Sequence, residues 1–208
     1  MAPSNPLQSF HPRNLLTYIS VVAATWGMFE IYHRQSLSGF AGVALCTAIV
    51  ADLFDGKFAA LFKGSSEIQK KVGGHLDSLA DFFAFGVFPA LGLLVVEHSR
   101  FGKLEYLSVA VGVGYLFAVL HRLAFYNAIS ANSSSFVGLP SPLGALGVAI
   151  AWRFLEGPML LGVYVLMASL MVSPFRIVRP GALVLFGIVL LSLTVGGLHS
   201  AARYSCTT

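Results

Sequence analysis

The chain has 208 residues, 56% of them hydrophobic and only 11% charged, with a mean hydropathy of +0.78. Soluble domains carry about 25% charged residues, so the composition excludes a water-soluble globular protein and points to an integral membrane one. A net charge of +4 does not suggest a nucleic-acid partner; it suits an anionic membrane surface or an anionic substrate.

In chain order, the first 13 residues, MAPSNPLQSFHPR, are too polar for the apolar core of a signal peptide. They read as a juxtamembrane segment ahead of a single membrane domain over residues 14–208. A spanning helix needs about 20 mostly apolar residues. Such stretches run Leu15–His33, Gly39–Phe62, Leu76–Val96, Tyr106–Tyr126, Pro142–Leu155, Pro158–Val172 and Gly181–Leu198. The fifth and sixth are short, separated by Arg153, Glu156 and Gly157, and Pro158 favours a helix start. They are two tightly joined spans or one span with a re-entrant piece. The expected fold is all-α: a polytopic transmembrane helix bundle of six to eight spans, with seven stretches in view. SANSSSFVGLPSP, Ser130 to Pro142, is the longest polar loop, with turn chemistry in its serines and Gly-Leu-Pro. Lysines and arginines divide almost evenly between the two sides. The dense loop from Lys63 to Lys71 places itself and the N-terminus in the cytoplasm. Cys46 and Cys206 fit no metal or redox spacing and read as free thiols.

Four of the nine acidic residues fall in one short region between the second and third stretches: Asp52, Asp55, Asp77 and Asp81. A carboxylate at membrane depth costs roughly 2.5–3.5 kcal/mol on insertion scales. Asp52 and Asp55 are three apart, Asp77 and Asp81 four apart, so on helices each pair shares a face. Gly56 and Ala59 continue the first face; Gly73, Ala80 and Ala84 line the second, and small residues let helices approach closely in lipid. Four desolvated carboxylates repel one another and cannot all stay ionised without cations. Two divalent metals resolve the conflict, and oxygen ligands select Mg²⁺ or Mn²⁺. Paired metals also suit a diphosphate substrate, which they neutralise for in-line displacement at phosphorus. The plainer alternative, four snorkelling or capping aspartates, does not account for the paired spacing.

Asp52-x-x-Asp55-Gly56-x-x-Ala59, followed by Gly73-x-x-x-Asp77-x-x-x-Asp81, resembles the signature of the CDP-alcohol phosphotransferases, D-x2-D-G-x2-A-R-x8-G-x3-D-x3-D. The run LDSLADFFAFGVFPA is similar to the phosphatidylserine synthase branch of that family. So are NLLT at Asn14–Thr17, RLAFYN at Arg122–Asn127 and GLPSP at Gly138–Pro142. The likeness covers roughly residues 14 to 145. It implies an enzyme that moves the phosphatidyl group of CDP-diacylglycerol onto the hydroxyl of serine, releasing CMP. It further implies metal ligation by Asp52, Asp55, Asp77 and Asp81, with Asp81 as the base, and a homodimer with its active site facing the cytoplasm. Gly56, Ala59, Lys63 and Gly73 would face the nucleotide and diphosphate, and Arg122 the acceptor. The chain departs from the signature in places. Ala60 stands where the pattern has Arg, Ala84 where the branch has Ser, and Phe125 where it has a second Arg. The spacing from Asp55 to Asp77 is four residues longer than in the pattern, about one helical turn.

Other residues carry weaker signals. Arg122 either snorkels or meets an anion. His75 and His121 flank the proposed site and read as interfacial or hydrogen-bonded histidines. Ser65 and Ser66 either contact phosphate or cap a helix starting at Glu67. Phe82, Phe83, Phe85 and Phe88 read as lipid-facing or packing surface, and Trp26 and Trp152 as spanning or interfacial aromatics. Three alternatives stay open: a family member with an anionic acceptor such as glycerol phosphate or an inositol phosphate, a divalent-cation transporter using the carboxylates as a pathway, and an inactive member lacking the signature Arg.

Overall fold

The computed structural model describes residues 10–37, 39–62, 64–100, 105–129, 135–178 and 182–201. A one-turn 3₁₀ helix, Pro12–Asn14, leads into α1 (Leu15–Arg34). There follow α2 (Phe40–Ala59), α3 (Glu67–Asp81), a π-helical segment (Phe82–Val87), α4 (Phe88–Arg100), α5 (Glu105–Ile129), β1 (Ser135–Val137), α6 (Ser141–Phe154), α7 (Gly157–Val172), β2 (Arg176–Val178) and α8 (Ala182–Ala201). Because α3, the π segment and α4 run on without a break, the described residues form seven helical rods, matching the seven apolar stretches. Four regions, Pro12–Arg34, Glu67–Val96, Tyr106–Ile129 and Val184–Ala201, are each long and apolar enough to cross a bilayer. The chain is an integral membrane protein with an all-α fold.

Helix α2 is central. Its first three turns are buried through Ala44, Leu45, Ala48 and Ile49 and pack against α1, α6 and α8. Helix α8 is tied to α6 by His199, whose Nε2 donates to the Ala149 carbonyl at 2.9 Å. The one acidic residue of α1, Glu30, is buried and meets the Arg34 guanidinium one turn on at 2.5 Å, which answers its charge at depth. The short rods α6 and α7 are separate helices joined at Leu155–Glu156 and packed on each other.

Three features depart from the sequence reading. The third rod begins at Glu67 rather than Leu76. Ser66 caps it, accepting from the Gln69 amide while the Gln69 side chain accepts from the Ser66 amide, so a polar first turn is held by a capping box. Trp152, read as a spanning or interfacial aromatic, is a buried packing residue whose Nε1 donates to the Tyr164 hydroxyl at 2.9 Å. The polar loop contains a strand, β1, paired antiparallel with β2. The chain leaves this ladder through Gly138, at φ +72°. A Cβ there would sit 2.2 Å from the Met171 carbonyl oxygen, so both backbone conformation and space demand glycine.

Where the π segment meets α4, a stranded carbonyl finds a partner. Pro89 has no N–H, so the Phe85 carbonyl one turn earlier loses its helical donor. Tyr115 on α5 replaces it, donating its hydroxyl to that carbonyl at 2.9 Å. Tyr164 on α7 likewise donates to the Pro89 carbonyl at 2.8 Å. Phe85 and Phe88 are fully buried in this packing. Tyr115→Phe keeps the ring and orphans the Phe85 carbonyl, which should cost about 1–3 kcal/mol. A thermal unfolding series in detergent should show the loss, and an unchanged midpoint would mean that the carbonyl is satisfied without Tyr115.

Candidate active site

The four aspartates lie at the polar ends of two helices. Asp52 and Asp55 occupy the last two turns of α2, and Asp77 and Asp81 the end of α3. Asp81 is the last residue before the helix widens into the π segment, a distortion often found at functional sites. One carboxylate oxygen from each of Asp52, Asp55 and Asp77 lies within 4.8 Å of the others. Asp81 stands beside Asp52, its carboxyl within hydrogen-bonding reach of it. Thus three carboxylates converge and the fourth is offset from them.

These aspartates separate two cavities. The larger, about 320 Å³, has a polar wall of Asp52, Asp77, Asp81 and Arg122 and an apolar wall that includes Leu185 and Ile188 of α8. The smaller, about 120 Å³, lies among Arg13, Asn14, Gly56, Ala59, Gly73 and Gly74. Asp55 and Asp77 line both. A more voluminous groove, about 930 Å³ between α5 and α7, holds none of the aspartates.

Arg122 is buried at 7% exposure. Its Nη1 donates to Ser141 Oγ at 2.9 Å, and its guanidinium lies over the Tyr126 ring, 5.4 Å from the centroid. Its charge faces Asp81 and Asp52, while its Nε is buried with no acceptor. A snorkelling arginine would reach for the interface; this one points into the cavity. Ser141 is fully buried at the start of α6, placed there by the Gly138–Pro140 turn. Opposite, Asn127 Nδ2 donates to Ser78 Oγ at 2.9 Å, linking α5 to α3 along the same cavity.

The remaining sequence candidates fall into place or away from it. Gly56 does not pack another helix, since a Cβ there would meet nothing within 4 Å; it leaves open space instead. Gly73 packs closely, but against Asn14, whose Oδ1 would lie 2.9 Å from an added Cβ. Helix α3 leans on α1 and the 3₁₀ turn. Ala59 borders the smaller cavity, while Ala60 is exposed. Lys63 lies outside the described residues. His75 and His121 are both exposed, and His121 lines the distant α5–α7 groove. Ser66 caps α3 and Ser65 donates to the Phe62 carbonyl at 2.9 Å, so neither faces the aspartates. Sequence reasoning missed Ser141, the Ser78–Asn127 pair and the Arg13–Asn14 turn. Ser141, Ser78, Asn127 and Asn14 sit inside motifs already singled out, GLPSP, LDSLAD, RLAFYN and NLLT; Arg13 carried no signal beyond its charge.

Four carboxylates outweigh the two guanidinia, Arg122 and Arg13, that border them. The hard oxygen donors and their convergence fit a divalent ion such as Mg²⁺ or Mn²⁺, which Asp52, Asp55 and Asp77 can hold.

A family profile described as CDP-alcohol phosphatidyltransferase matches residues 10–175. The chain is 36% identical over 192 residues to a CDP-diacylglycerol–serine O-phosphatidyltransferase of Helicobacter pylori, covering 84% of this chain and 73% of that one. It is 31% identical over 153 residues to the protein of that name from Mycobacterium tuberculosis, covering 68% and 50%. To an archaetidylserine synthase of Methanothermobacter thermautotrophicus it is 27% identical over 132 residues, covering 63% and 54%.

Proposed function

Because the chain belongs to the CDP-alcohol phosphatidyltransferase family, we propose that it transfers the phosphatidyl group of CDP-diacylglycerol to the hydroxyl of L-serine and releases CMP. The coarser statement, a membrane-embedded phosphatidyltransferase taking a CDP-linked donor and an alcohol acceptor, follows from the family. The serine assignment draws support from the names of the similar proteins and from one observation above all. Two cavities meet at Asp55 and Asp77, and the larger carries a buried guanidinium with an unpaired N–H.

In this reading the donor's nucleotide end lies on the side of Gly56, Ala59 and Gly73, with Lys63 nearby in sequence. The serine lies in the larger cavity, its carboxylate on Arg122. Asp52, Asp55, Asp77 and Asp81 hold two divalent ions, Mg²⁺ or Mn²⁺. When bound, such ions neutralise the diphosphate and polarise its phosphorus. Asp81, offset from the three converging carboxylates and facing Arg122, accepts the proton of the serine hydroxyl. The serine oxygen forms a bond to the lipid-bearing phosphorus, and the bond from that phosphorus to the bridging oxygen breaks. CMP departs with the electron pair. The apolar wall from α8 leaves the acyl chains on the bilayer side. The aspartates face the cytoplasm, together with the basic loop that joins α2 to α3. One membrane domain, residues 14–208, carries the whole site apart from Arg13, and two copies form a homodimer.

The test is a CMP-release assay on the purified protein in detergent with CDP-diacylglycerol, Mg²⁺ or Mn²⁺, and a panel of acceptors. Release with serine is the expected result. Release only with glycerol 3-phosphate or an inositol phosphate would move the chain to another branch of the family. No release with any acceptor would leave a metal transporter or an inactive member, since transport needs a sealed vesicle and transfer does not.

A further inference from the structure

On the side of the aspartates away from Arg122, the 3₁₀ turn before α1 presents two donors that meet no acceptor. Arg13 Nε and Asn14 Nδ2 are both buried without a hydrogen-bond partner, and Asn14 is only 5% exposed. Buried donors left unpaired are costly, and native structures keep few. Both residues border the 120 Å³ cavity together with Asp55 and Asp77.

The turn is fixed in place from two directions. The Arg13 amide donates to His11 Nδ1 at 3.2 Å and the Asn14 amide to the His11 carbonyl at 3.1 Å. Gly73 of α3 admits the Asn14 side chain where any Cβ would collide with it. The donors are therefore held ready rather than loosely placed. The opposite wall is a pair of carboxylates suited to a cation, and the floor is open at Gly56 and Gly74. A ligand that satisfies N–H donors on one side and bridges a carboxylate-bound cation on the other must be an oxyanion. Helix α2 offers no cation of its own here: Ala60 is neutral, and Lys57 is exposed, its Nζ over the Phe54 ring at 6.0 Å.

We propose that Arg13 and Asn14 bind a phosphate of the CDP-linked donor at its nucleotide end, with Arg13 supplying the cation absent at Ala60. This rests on the phosphatidyltransfer reading above and extends it to residues outside the aspartate motif.

The experiment uses the full chain in detergent with Mg²⁺. It measures CDP binding by equilibrium dialysis, and the KM values for CDP-diacylglycerol and serine by CMP release. Charge-assisted hydrogen bonds to phosphate are strong, so Arg13→Gln should weaken CDP binding and raise the donor KM about tenfold or more, with the serine KM within about twofold. Arg13→Lys should recover part of the loss, because a point charge survives without the planar fork. Lys57→Gln should match the wild-type chain. Arg13→Gln protein that binds CDP as tightly as wild type overturns the assignment and leaves phosphatidyl transfer standing. Equal losses for donor and serine, not relieved by Arg13→Lys, also overturn it, because they mark a structural role. A wild-type chain that neither binds CDP nor releases CMP overturns the underlying reading and this inference with it.

Discussion

Asp77→Asn is expected to lower CMP release by at least ~100-fold, more than the loss typical when a supporting group around a metal is removed. Asp77 lines both cavities and is one of the three carboxylates whose oxygens converge within 4.8 Å. Asparagine keeps the shape but gives up the charge and half of the hard-oxygen donor set. It also removes one of four mutually repelling charges, so the fold should not suffer, and the unfolding midpoint in detergent should hold or rise. Asp52→Asn and Asp55→Asn should behave alike, as should chelation of divalent ions from the wild-type protein. Asp81→Asn should be as inactive for a further reason besides the lost ligand, the loss of a proton acceptor, which typically costs 10²–10⁴-fold. Added metal should therefore rescue part of the activity in the first three variants and none in Asp81→Asn. Near-wild-type CMP release from Asp52→Asn, Asp55→Asn or Asp77→Asn would sink the metal assignment. Rescue of Asp81→Asn by metal would leave it a ligand only and remove it as the base.

Much of this arrangement was legible from spacing alone. Hydropathy located the seven rods, because apolar length is what a bilayer selects. Carboxylates three and four apart identified the two faces, because helix geometry leaves little choice. What was not legible depends on contacts between distant parts of the chain. The capping box at Ser66 was one of two readings of GSSE, and only the helix that begins there decides between them. The burial of Trp152 depends on Tyr164 and on the Pro89 carbonyl, three partners on three helices. The carbonyl that Pro89 strands at the end of the π segment is taken by Tyr115, thirty residues on. The small β1–β2 ladder joins residues some forty positions apart, Ser135 to Val178. Arg13 looked like a loop charge until α3 was seen to lean on its turn.

Arg122→Lys is the second large effect expected, and it tests the choice of acceptor. Serine brings a carboxylate and an ammonium to the site as well as its hydroxyl. Arg122 is oriented for the carboxylate: Ser141 fixes Nη1, the Tyr126 ring supports the guanidinium plane, and Nε is left unpaired. Lysine retains a positive charge near Asp81 and Asp52 but loses the planar fork that pairs with a carboxylate through two parallel bonds. The KM for serine should therefore rise about tenfold or more, while the KM for CDP-diacylglycerol changes little. Ser141→Ala should move the same constant in the same direction by less, because it frees Arg122 to turn without removing its charge. Phe125, where the resembling branch has a second arginine, is partly exposed and is not among the residues lining the cavity, so Arg122 carries this contact alone. If Arg122→Lys instead raises the donor KM and spares serine, the guanidinium holds the diphosphate. The acceptor must then be recognised on the far wall, by the Ser78–Asn127 pair.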